Sequence, residues 1–80
     1  MTIIEKITEN NPDAILWDDL DEAVIGFTTD YVAVYDLDKL SECLLKQNSD
    51  WSEQDALEWI DYNILGAYVG EHTPLHIYTK

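Results

Sequence analysis

The spacing of apolar positions changes along the chain, and each change predicts an element. Ile3, Ile4 and Ile7 recur at helical spacing and predict a short N-terminal helix over residues 3–9. Asn10-Asn11-Pro12-Asp13 stops it, because Pro12 disfavours helical backbone in the residue before it. Two β-branched and aromatic runs follow, Ala23-Val24-Ile25-Gly26-Phe27-Thr28 and Tyr31-Val32-Ala33-Val34-Tyr35. With Thr29-Asp30 as a tight turn between them, they predict a hairpin 23–28/31–35. Strict alternation puts Val24, Gly26 and Thr28 on one side of it, and Ile25 and Phe27 on the other.

Helical spacing then returns. Leu37, Leu40 and Leu44 predict a helix over about 37–47, opened by Asp36 or Asp38 and carrying Glu42 and Lys46 as an i, i+4 pair. Ser52-Glu53-Gln54-Asp55 is an S-x-x-D capping box with Trp51 placed as its staple. It opens a helix over about 52–69 whose apolar stripe is Leu57, Ile60, Ile64 and Tyr68, with Gly70 as C-cap. After Thr73-Pro74, Leu75-His76-Ile77-Tyr78 reads as a C-terminal strand, 75–78. The order predicts an α+β fold in one domain, 1–80: a small antiparallel-rich sheet covered by two helices, plus the short N-terminal helix. Ala14 to Trp17 leaves room for a further strand.

Charge changes the picture most. Seventeen Asp and Glu face four Lys and no Arg, a net charge of −13. Such a charge signals disorder only when apolar content is low, and here 46% of residues are hydrophobic, so the chain is expected to fold. Four scattered lysines cannot track a phosphate backbone, which excludes direct nucleic-acid binding and docking on anionic membranes. No apolar run is long enough to span a bilayer, and no signal peptide is visible. The lone Cys43 predicts a reducing, cytoplasmic compartment. Crowded carboxylates also predict that mild acidification toward pH 5 stabilises the fold by relieving repulsion.

Catalytic chemistry finds little support. No nucleophile elbow, phosphate-cradling glycine loop or Cys/His pairing occurs, so no catalytic residue is assigned and the chain is read as a non-enzyme. Asp18-x-x-Asp21-Glu22 offers oxygen ligands but lacks the alternating carboxylates and central glycine of a calcium loop. His72 and His76 are separated by Pro74, which prevents a helical turn from aiming both at one ion. No metal site and no cofactor are therefore expected.

Asn11-Pro12-Asp13-Ala14-Ile15-Leu16, Asp18 to Gly26 (DDLDEAVIG), Val32 to Asp36 (VAVYD) and Asn63 to Pro74 (NILGAYVGEHTP) resemble a family of small uncharacterised proteins of tailed bacteriophages and prophages. The likeness covers roughly residues 11–77. It implies an accessory phage protein acting in the cytoplasm of a bacterial host, without implying an activity. The five residues Phe27 to Tyr31 stand where relatives carry a longer, more basic stretch, which leaves this chain unusually acidic.

Two functional readings follow. In the first, Asp18, Asp19, Asp21 and Glu22 on one loop, and Asp55, Glu58 and Asp61 on the second long helix, converge into a partner-binding face with Trp17 or Trp59 as apolar anchors. The chain then binds and inhibits a basic, nucleic-acid-handling host protein such as a CRISPR effector, acting against host defence or as a DNA mimic. In the second it is a small structural or assembly module, or a homodimer, and the acidity only confers solubility. Convergence of those residues in space separates the two.

Overall fold

In a computed structural model, which describes residues 2–67 and 70–79, the first helix begins where Thr2 can cap it. The Thr2 hydroxyl accepts from the Glu5 amide, and helix α1 runs Ile3–Asn10 with Ile7 turned into the core. Strands β1 (Val24–Phe27) and β2 (Ala33–Asp36) form the predicted antiparallel hairpin. Helix α2 (Leu37–Gln47) starts without an intervening loop, because the last residue of β2 is also its cap. The buried Asp36 accepts from the amides of Asp38 and Lys39 and from the Thr79 hydroxyl. Those bonds, the Thr79 one foremost, hold its carboxyl below the usual carboxylate range.

Helix α3 (Glu53–Ile60) opens on the capping box read from the sequence: Ser52 Oγ accepts from the Asp55 amide and Asp55 accepts from the Ser52 amide. The α-helix is shorter than the predicted 52–69. After Ile60 the backbone widens into a π turn, Asp61–Leu65, which Gly66 ends. Gly70 therefore does not cap this helix; it holds φ at +111° in the following turn. Ala56, Ile60 and Ile64 face inward at four-residue steps, which leaves Leu57, one position round the helix, 42% exposed. Tyr68, the last residue of the predicted stripe, lies outside the described residues.

Strand β3 (Leu75–Ile77) completes a sheet of order β1-β2-β3. The antiparallel-rich expectation needs correcting here, since β3 pairs with β2 in parallel, Tyr35 opposite His76. The chain reaches β3 through α2 and α3, and such a crossover returns a strand in the same direction. Residues 14–17 form no strand. Strict alternation in β1 also fails. A bulge between Val24 and Gly26 places Val24 opposite Tyr35 and Phe27 opposite Ala33, so both join the core side while Ile25 does not.

The core lies between the helices and the inner face of the sheet, with Tyr35, Ile7, Leu40 and Ile64 as its largest fully buried side chains. The outer face carries Gly26, Val34, Leu75 and Ile77, which the register places on the side away from Tyr35.

The hairpin turn is wider than the two-residue Thr29-Asp30 step. The Tyr31 amide donates to the Thr28 carbonyl, the Thr28 amide donates to the Val32 carbonyl, and Tyr31 sits in the left-handed region at φ 59°. An aromatic residue there is held by stacking on Phe27, 5.3 Å between ring centroids. Left-handed backbone costs a side-chain-bearing residue about 1 kcal/mol that glycine does not incur. Tyr31→Gly is accordingly expected to exceed Tyr31→Ala in urea-unfolding stability by about 1 kcal/mol, both having lost the ring. Equal stabilities would show that the turn relaxes.

Candidate functional site

Two shallow hollows meet at a pair of tryptophans. One, of about 600 Å³, is walled by Asp50, Asp55 and Glu58 around Trp51, Trp59 and Tyr62. The other, of about 290 Å³, has Asp18 and Asp19 on one side and the same two tryptophans on the other. The acidic loop and the acidic helix, more than thirty residues apart in sequence, thus both border Trp51 and Trp59. Among the described residues, no lysine lines either hollow.

Local structure fixes both walls. On α3, Asp55, Glu58 and Trp59 lie at i, i+3 and i+4, one face of the helix, with Trp51 just before its cap and Tyr62 in the π turn that follows. Trp51 and Trp59 are half-buried against the core, which limits their rotamers while leaving ring surface free. Tyr62 is almost fully exposed. Gln54 Nε2 donates to Glu58 at 3.1 Å and holds that carboxylate on the helix surface. The acidic loop turns at Asp19, whose φ is 62° and whose carbonyl accepts from Gln47 Nε2 at 2.8 Å. That bond pins the loop to α2.

The remaining predicted residues are placed elsewhere. Glu22 does not line the tryptophan hollows; its carboxylate lies 3.7 Å from Lys46 Nζ and beside Cys43 of α2. Lys46 thus pairs with Glu22, not with the expected Glu42; it is the one ion pair among the described residues and is largely exposed. Burial pushes the Cys43 thiol up, and the neighbouring Glu22 adds to this, so the thiolate needed for nucleophilic chemistry is disfavoured. Asp21 is exposed in a 3-10 turn, and Asp61 is exposed in the π turn beyond the hollow. Neither lines the tryptophan pair.

Trp17 occupies a third position, half-buried under the sheet. Its amide donates to the Tyr35 hydroxyl at 2.8 Å and its indole N–H donates to His76 Nε2 at 2.9 Å. His76 stacks on both rings, 6.0 Å from Trp17 and 5.9 Å from Tyr35. An indole N–H only donates, so His76 Nε2 must accept; the ring is neutral with its proton on Nδ1. Burial correspondingly lowers the His76 pKa. Burial also pushes the Tyr35 phenol up, and the charges of Asp21 and Asp18 add to it. Trp17, Tyr35 and His76 therefore form a structural stack linking the acidic loop to β2 and β3.

Among the described residues, no group of three or more His, Cys, Asp or Glu is placed to hold a metal ion, and no helix is long and apolar enough to cross a membrane. Compared with protein families, curated proteins and solved structures, the chain matches none.

Three residues of the site escape the sequence reading: Asp50, Trp51 and Tyr62. Trp51 has the position of a capping staple, which hides its second role. Asp50 and Trp51 precede the helix and Tyr62 sits in the π turn, so helical recurrence along α3 finds only Asp55, Glu58 and Trp59.

Proposed function

We propose that the chain is a phage-derived, non-enzymatic interaction protein that binds and inhibits a basic, nucleic-acid-handling protein in the cytoplasm of its bacterial host. The observation that carries this reading is the approach of Asp18 and Asp19 to Asp50, Asp55 and Glu58 across Trp51 and Trp59. Carboxylates arranged about exposed aromatic surface suit lysine and arginine side chains. The charge steers and pairs with them, while the indole faces take a guanidinium by cation–π contact. A basic groove that normally holds phosphates presents that chemistry.

Binding of this kind is strongly salt-dependent. In pull-downs from bacterial lysate, the captured protein is expected to be basic, to elute well below about 1 M salt, and to lose its nucleic acid on capture. Asp18→Lys combined with Glu58→Lys reverses one charge on each wall without touching a helix cap, and is expected to weaken capture at least about tenfold. Retention unchanged at about 1 M salt, or indifference to both reversals, would refute the reading.

A further inference from the structure

The sheet has two edges, and the molecule protects only one. Strand β1 carries a bulge and is packed by α1, two devices that stop an edge from recruiting another strand. Strand β3 has no charged residue and no bulge, and no strand lies on its other side among the described residues. Its outward side chains are apolar and bare: Leu75 is 51% exposed, Ile77 41%, and the following Tyr78 62%. Val34 of β2 extends the same face, opposite Leu75.

Charge says what fits there. Asp and Glu number 17 in the chain, and from Tyr62 to Lys80 the only one is Glu71, so 16 lie before this stretch. Two copies of a chain with a net charge of −13 repel at most approaches. The β3 edge carries no Asp or Glu of its own and shows three apolar side chains that are each two-fifths or more exposed. A basic partner, by contrast, is drawn to the opposite kind of surface. An open strand is also self-complementary about a two-fold axis, because an antiparallel copy presents the same groups in return.

We infer that β3 pairs antiparallel with β3 of a second copy, centred on His76, to join two three-stranded sheets into one of six. Leu75 then lies beside the partner's Ile77, and Ile77 beside the partner's Leu75, on an apolar face extended by Val34 of each chain. No residue of β3 lines either acidic hollow, so the pairing does not depend on the function proposed above.

Light scattering and sedimentation at about 0.3 mM protein, across salt from about 0.05 to 0.5 M, test it. The expected mass is twice the chain's 9.2 kDa. Association should strengthen about tenfold as salt screens the self-repulsion, the reverse of the trend for a basic partner. Leu75→Glu with Ile77→Glu should give a monomer with the wild-type circular dichroism spectrum. Should that variant unfold, Leu75→Thr with Ile77→Thr keeps strand propensity and should still weaken the dimer at least about tenfold. Asp18→Lys with Glu58→Lys should leave the dimer in place. A monomer at every salt concentration overturns the inference, and so does a dimer indifferent to the Leu75 and Ile77 changes.

Discussion

Tyr35→Ala is expected to leave much of the chain unfolded at room temperature. Tyr35 is fully buried at the centre of β2, stacks on His76, and accepts the Trp17 amide on its hydroxyl. Truncating a buried aromatic side chain to alanine costs about 3–5 kcal/mol, through lost transfer energy and the cavity left behind. An 80-residue domain has about 4–12 kcal/mol in total, and a net charge of −13 pushes this chain toward the lower end. Tyr35→Phe separates packing from hydrogen bonding. It keeps the ring but orphans the Trp17 N–H, at a cost of about 1–3 kcal/mol. Urea unfolding should therefore rank wild type above Phe and Phe well above Ala. An Ala variant within about 1 kcal/mol of wild type would mean that the stack contributes little to stability.

His76→Gln is expected to gain stability relative to wild type as the pH falls from 7 to 5. In the folded chain His76 is kept neutral, by burial and by the indole N–H occupying its Nε2 lone pair, so its pKa lies below the ordinary 6.5. In the unfolded chain it titrates normally. Between the two values the unfolded state binds the extra proton, so the stability His76 contributes is present above pH 6.5 and is lost as the pH falls toward the folded-state value. This runs against the stabilisation by acid that the crowded carboxylates predict, and the two trends are superimposed in wild type. Glutamine keeps an acceptor for the Trp17 indole but does not titrate, so the variant isolates the carboxylate effect. Thermal melts of both proteins at pH 7, 6 and 5 give the comparison. A wild-type minus variant difference that stays constant over this range would show that His76 can be protonated without breaking the stack.

The sequence reveals what is local. The β-branched runs mark the hairpin, Leu37, Leu40 and Leu44 mark α2, and Ser52 with Asp55 marks the start of α3, because each signal lies within a few residues of its effect. The direction of β3 is not written in Leu75-His76-Ile77, since a three-residue strand looks the same whichever way it pairs. The bulge that turns Ile25 away from the core depends on the partner strand, and the π turn after Ile60 replaces a helix that periodicity alone continues. The site divides in the same way. The acidic residues are plain in the sequence, but of Asp19 and Glu22, three positions apart, only Asp19 reaches the tryptophan hollow, while Glu22 pairs with Lys46. Only the packing of α2 against α3 brings Asp18 and Asp19 to Trp59. Trp17 reads as an apolar anchor beside the acidic loop, and the bond from its indole to His76, 59 positions away, shows only in the structure.

The parallel pairing of β2 with β3 bears on how the molecule assembles. Tyr35 and His76 are 41 positions apart by their numbers, and all of α2 and α3 lies in the loop between them. Closing so long a loop loses chain entropy before any contact compensates, whereas the hairpin and the helices nucleate within their own segments. The last strand is therefore expected to dock onto a preformed platform. Its undocking is the expected first step of opening, which would release the hold on Trp17 while the hairpin stays intact.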